Sequence, residues 1–190
     1  MDTNTHEDIT FEKEDFSNLK WIKSRFTNCQ FVNCDFSSTE FFQVDFEDCV
    51  FQECNFSLAT FSNSGLKQVS FDSCKLIGID FSLCSDFLFA VDFQDCSLDY
   101  ASFFQKKIKK TRFESCSIRE VEFSECDLEN ASFNQSDLTG SNFYKTNLER
   151  ADFSNASNFS INPEDNKLKK TKFSSTNLMG LLDKYDLNIS

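Results

Sequence analysis

Residues 41–61 read FFQVDFEDCVFQECNFSLATF and place Phe at 41, 46, 51, 56 and 61. Outward from this stretch the spacing of five holds without a miss. Phe11, Phe16, Trp21, Phe26, Phe31 and Phe36 precede it, and Leu66, Phe71, Leu76 and Phe81 follow. A second run holds Leu88, Phe93, Leu98, Phe103, Ile108, Phe113, Ile118, Phe123, Leu128, Phe133, Leu138, Phe143, Leu148 and Phe153, and a remnant holds Leu168, Phe173 and Leu178. A step of seven joins the first run to the second. A period of five fits neither the 3.6 of a helix nor the 2 of a strand, so either element would scatter these residues around its surface. A coil that turns a corner every five residues keeps them all inside. The residue two places before each large one is mostly small or medium, as at Cys29, Cys34, Thr39, Val44, Cys49, Cys54 and Ala59, so both positions can point inward.

Composition agrees with a repeat. Among 190 residues there are 25 Phe but one Pro and four Gly, far from average usage. No stretch approaches the ~18 uninterrupted apolar residues of a membrane helix. The N-terminus, MDTNTHEDIT, lacks the basic and apolar regions of a signal peptide, so a cytoplasmic location without membrane contact is expected.

The units Cys34-Asp35-Phe36, Val44-Asp45-Phe46, Cys54-Asn55-Phe56, Cys126-Asp127-Leu128, Thr146-Asn147-Leu148 and Ala151-Asp152-Phe153 resemble the Ala-(Asp/Asn)-Leu-x-x motif of the pentapeptide-repeat family, over roughly residues 11–180. That resemblance implies an all-β fold, a right-handed quadrilateral β-helix with the first and third motif residues inward and four pentapeptides per coil. Residues 20 apart should then stack. The column Phe11, Phe31, Phe51, Phe71, Phe93, Phe113, Phe133, Phe153, Phe173 is wholly Phe if the step of seven is one side with a two-residue bulge. We name the sides by column in chain order. Side A carries this one, side B begins at Phe16 and side C at Trp21. Side D reads Phe26, Phe46, Leu66, Leu88, Ile108, Leu128, Leu148, Leu168. The expected molecule is a rod of about eight coils, roughly 40 Å long at ~4.8 Å per coil. Its expected divisions are a lead (1–10), the β-helix (11–153, bulge within 82–87), an interruption (154–167) where Pro163 falls on a column position, the last repeats (168–180), and a helical cap (181–190).

All nine cysteines fall on the small inward position, where free Cys serves as a small hydrophobe. Neither CxxC nor Cys/His spacing occurs, so no metal site is expected, and His6 is expected to be exposed in the lead. Carboxylates on flat outer faces lack the cleft that separates pKa values, which argues against catalysis, a cofactor or a small-molecule substrate. Lys106 breaks the pattern, since the repeat turns it inward. It must snorkel out or the coil must distort. It opens a basic belt with Lys107, Lys109, Lys110 and Arg112.

The formal charge is −12, and two adjoining sides carry most of it. Side A holds Glu53, Asp72, Asp92, Asp95, Glu114 and Asp152, and side B holds Asp35, Asp99 and Asp137. A rigid negative rod repels nucleic acid and suits basic surfaces built to bind it, so direct nucleic-acid binding is not expected. The unbroken Phe-centred rod with an apolar tail looks like the quinolone-resistance (Qnr and MfpA) and microcin-immunity (McbG) branches. That resemblance implies a DNA mimic acting on DNA gyrase or topoisomerase IV, and a homodimer joined through Leu181, Leu182, Tyr185, Leu187 and Ile189. The alternative is an interaction or structural scaffold whose partner is unrelated to topoisomerases.

Overall fold

The computed structural model describes residues 4–185 and residue 187. The chain winds as a right-handed, four-sided β-helix whose strands all pair in parallel with the coil above and below. Three strands open it: β1 (Asn4–Glu7) on side D, β2 (Thr10–Glu12) on side A and β3 (Lys20–Ile22) on side C. They begin sheets of four, six and three strands. Side B, and every side beyond the regular strands, is held by single bridges such as Asp15↔Asp35, Ser132↔Asp152 and Asp152↔Lys172. Six coils therefore carry regular strands on side A, and the remainder of the predicted eight or so are held by bridges alone.

Register follows the columns. Phe31 pairs with Phe51 and Phe51 with Phe71; Phe71 then pairs with Phe93, and Phe93 with Phe113. Rings on one side stack face to face, as Phe31 on Phe51 at 4.7 Å and Phe113 on Phe133 at 4.9 Å. Rings on different sides meet edge to face, as Phe31 against Phe36 at 5.6 Å on neighbouring sides and Phe113 against Phe123 at 5.8 Å across the core. Burial contributes about 1.5–3 kcal/mol per ring, and aromatic pairing adds about 0.5–1.5 kcal/mol.

The small inward position does more than fill space. Its side chain donates to the carbonyl of the large residue one coil back: Thr39 Oγ1 to Phe16 O at 2.7 Å, Cys49 Sγ to Phe26 O at 3.4 Å, Thr146 Oγ1 to Phe123 O at 2.8 Å. Cys, Ser and Thr therefore exchange freely there. All nine thiols are free and buried. Burial pushes Cys49, Cys84 and Cys126 up to about 12, so their thiolates are absent at neutral pH. A chromogenic disulfide reagent at about pH 7.5, well below those values, should label none of the three in the native protein and all of them in denaturant. Labelling of the folded chain would refute this.

Corners form by a left-handed residue two places after nearly every large one. Most of these are not glycine, among them Lys13, Asn33, Glu53 and Asp95, with φ of 57°, 55°, 55° and 52°. Each costs on the order of 1 kcal/mol, which the surrounding ladder offsets. The residue before the large one secures the corner when it is Asp or Asn: Asp35 accepts from Ser37 N at 2.8 Å and Asp152 from Ser154 N at 3.0 Å.

Several expectations are corrected. Leu88 is 64 % exposed, and Phe89 packs against the core in its place. Inside the expected interruption the same shift recurs, with Asn158 turned out and Phe159 filling the interior between Phe153 and Phe173. Pro163 is exposed and not a column residue. Leu178 is also exposed, in a 3-10 turn, Leu178–Leu181, followed by a second, Asp183–Tyr185. His6 is half-buried, stacked on Phe26 at 4.7 Å as the first member of the side D column. The C-terminal turns close the rod. A Cβ at Gly180 would collide with Phe159 O, so only glycine lets the turn approach this closely.

Candidate partner-binding face

The bulge and Lys106 form one device. Lys106 remains inward and 3 % exposed, and the coil distorts to meet it. Its ammonium donates to Asp86 Oδ1 at 2.6 Å and Cys84 O at 2.5 Å, and lies 5.1 Å from the centre of the Phe89 ring. Asp86→Ala should destabilise by about 1.5–3 kcal/mol because the buried cation loses its charged acceptor, whereas Lys106→Met should cost less, since it leaves only the neutral Cys84 carbonyl unpaired. Urea midpoints in the opposite order would overturn this assignment. Two of the other four cations of the basic belt are paired: Lys109 bridges Asp127 and Glu129 at 3.1 and 3.0 Å, and Arg112 bridges Asp92 at 2.8 Å.

The acidic residues of sides A and B divide by position in the repeat. Those just before a large residue are half-buried and engaged. Asp35 and Asp152 secure corners, and Asp152 also meets Lys172 at 3.1 Å. Asp92 accepts from the backbone and guanidinium of Arg112. For Asp137, burial would raise the pKa, but bonds from Thr139, Asn158 and Arg119 outweigh it and hold the carboxyl well below its usual range. Asp99, directly after the column residue Leu98, is engaged as well, accepting from Ser117 Oγ at 2.6 Å and Arg119 N at 3.0 Å. These carboxylates hold the scaffold together.

Four others, on the outward positions after the large residue, form a different set. Asp72, Gln94 and Glu114 lie in one register column with Gln52; Glu53 and Asp95 lie one residue further along. Glu53, Asp72, Asp95 and Glu114 thus alternate between two adjacent columns, one carboxylate per coil, never directly above one another. Like charges directly opposite would destabilise the ladder, and the alternation avoids that. None of the four forms a salt bridge among the described residues. Glu114 accepts from Asn134 at 2.8 Å, Asp72 from Ser73 at 2.8 Å and Asp95 from Gln94 at 3.3 Å. Side A therefore presents a line of carboxylates spaced by about one coil, ~4.8 Å.

At the C-terminal end Leu181 packs against the core and Leu182 is half-buried, while Tyr185 and Leu187 are exposed beside Leu178 and Met179. Ile189 lies outside the described residues. Among the described residues no cluster of His, Cys, Asp or Glu is arranged to hold a metal ion, and no helix is long and apolar enough to cross a membrane.

The family profile described as pentapeptide repeat region matches residues 24–103 and 106–181. The chain belongs to the pentapeptide-repeat family. Among solved structures, this pentapeptide-repeat protein is similar to HetL, involved in heterocyst differentiation regulation in the cyanobacterium Nostoc sp. strain PCC 7120, with a TM-score of 0.70, 12% identity, and 90% and 85% of the two chains covered. It is also similar to two trypsin-treated variants of QnrB1, a plasmid-mediated fluoroquinolone resistance protein. One gives a TM-score of 0.57 at 21% identity over 97% and 99% of the chains, the other 0.55 at 17% over 98% and 100%. At these identities the likeness establishes a shared fold. No curated protein sequence matches the chain.

Proposed function

We propose that this pentapeptide-repeat protein is a DNA-mimicking rod that binds and modulates a bacterial type II topoisomerase, DNA gyrase or topoisomerase IV. The observation that carries the reading is the line of unbridged carboxylates, Glu53, Asp72, Asp95 and Glu114, on one straight side of a rigid solenoid. A negative stripe of this kind suits a basic channel that normally receives a phosphate backbone, and long-range attraction would raise the association rate. The fold shared with QnrB1 supports it. The protein acts by occupying a surface, with no chemical step. Association of two copies through Leu181, Leu182, Tyr185, Leu187 and Ile189 belongs to the same reading, supported by the apolar side chains exposed on the C-terminal turns.

A second reading is favoured by charge density. Duplex DNA carries about one negative charge per 1.7 Å, so a length of about 40 Å would hold roughly twice the chain's −12. A scaffold that binds some other basic protein needs no closer match. A supercoiling assay with purified gyrase, with and without a fluoroquinolone, separates the two. Inhibition or protection at micromolar protein is expected; no binding and no effect would leave the scaffold reading.

A further inference from the structure

We propose that the N-terminal end of the rod is an interface, and that the partner it fits is the same end of a second copy. This inference is independent of the topoisomerase reading.

The first coil is unlike an end built for solvent. Where interior coils place Cys29 and Thr39, it places Ile9 and Leu19, larger aliphatic side chains that are 38 % and 45 % exposed. Phe11, Phe16 and Trp21 are only partly buried, whereas Phe31, Phe36 and Phe41, one coil on, are completely covered. With His6 they surround an open hollow of about 450 Å³. Terminal repeats of solenoids ordinarily need a polar outer face. Here the terminal coil leaves Ile9, Leu19 and three aromatic rings open, although Asn4 and Glu14 hold the other two small inward positions, and β1, β2 and β3 are each the outermost strand at the same end of their sheets.

The geometry names the occupant. Three outermost strands set on a square can be extended together only by another coil end of the same cross-section. The C-terminal end of this chain cannot serve, because its edges lie under the turn in which Ile161 N donates to Gly180 O at 2.8 Å. That leaves the N-terminal end of a second copy, related by a twofold axis across the rod, which sets the strands antiparallel.

One such arrangement closes evenly. The chain climbs about one coil spacing, ~4.8 Å, in four sides, so the outer edge is a ramp rising ~1.2 Å per side in the order D, A, B, C. Two identical ramps face each other at constant separation only if D meets C and A meets B. Any other exchange leaves some sides in contact and others apart. Independently of the ramp, this same exchange brings opposite charges together. With His6 and Trp21 centred on each other, Lys20 on side C comes opposite Glu7 on side D, and Lys13 on side A opposite Glu14 on side B, which outnumber the one like pair, Glu12 with Asp15. β1 then pairs with the second copy's β3.

The test uses the full chain carrying Leu178→Glu and Leu187→Glu, so that contact through the C-terminal turns does not contribute. Sedimentation equilibrium should show a dimer at micromolar concentration. Lys20→Glu and Glu7→Lys should each weaken it at least ~10-fold by setting like charges opposite. Combined in one chain, they should restore the parent affinity to within about threefold, because the two exchanged charges again face each other with opposite sign across the twofold axis. Unchanged melting temperatures and circular dichroism show that the variants remain folded. A monomer up to about 100 µM, single variants as tight as the parent, or a double variant no tighter than the singles would each overturn the proposal.

Discussion

Phe113→Ala is expected to remove about 3–5 kcal/mol of stability, as large a loss as a single side-chain truncation brings in such a core. Phe113 is fully buried, stacked on Phe93 at 5.3 Å and Phe133 at 4.9 Å, with its edges against Phe103 and Phe123. Removing it leaves a void that four rings fixed by the ladder cannot collapse into. The loss should also divide the molecule. In a solenoid each coil leans only on its neighbours, so weakening a central interface lets the two halves unfold separately. Urea unfolding followed by far-UV circular dichroism should show a lower midpoint and a broader or two-step transition. Phe173→Ala should cost clearly less, since that ring, at the end of the same column, is already partly exposed. Equal losses at the two positions would mean that the stack is not the source of stability.

Changing Glu53, Asp72, Asp95 and Glu114 together to their amides is expected to slow association with a basic partner by between ~10-fold and ~1000-fold, the range electrostatic steering spans. The effect should shrink as salt is raised, since screening already removes much of the attraction in the parent protein. Stability should barely change, because none of the four secures a corner. The control set is Asp35, Asp137 and Asp152: their amides remove as many formal charges less one and keep the corner acceptors, so binding should change little and stability should fall only by the lost ion pairs with Arg119 and Lys172. Stopped-flow binding at two salt concentrations separates these outcomes, and equal binding defects in the two sets would refute a dedicated stripe on side A.

How much of this could be read from the sequence differs between interior and surface. The columns were legible because a five-residue step, repeated, leaves one geometry that buries every Phe. The misplacement of Leu88 for Phe89 has a local cause, which recurs at Asn158 and Phe159 inside the interruption. At both places the column residue adopts a positive φ, 55° and 57°, which turns its own side chain out and the next one in. Counting residues does not detect a change of dihedral. The acidic face was only partly legible for a related reason. A tally by side counts Asp35 and Glu53 equally, although one accepts a backbone hydrogen bond at a corner and the other points to solvent. A signal was present: Asp35, Asn55, Asp137 and Asp152 are each followed two residues later by Ser or Thr. Asn in this role shows that the charge is dispensable there. The hydrogen-bonding duty of the small inward position was also encoded, in the exchange of Cys with Thr and Ser. Reading the cysteines only as small hydrophobes concealed it.

The pairing of the bulge with Lys106 bears on how such a chain can change length. Two extra residues in one coil would strand polar backbone inside the rod unless something inside reaches them, and a long cationic side chain placed one coil later does so. Residue 106 and the length of the preceding coil are therefore coupled characters. Shortening that coil alone would leave an ammonium without its acceptors, and replacing the lysine alone would leave the carbonyl of Cys84 without its donor. A lineage can gain or lose the insertion only by passing through one of those defective intermediates, so in related chains the two should be inherited together or be absent together.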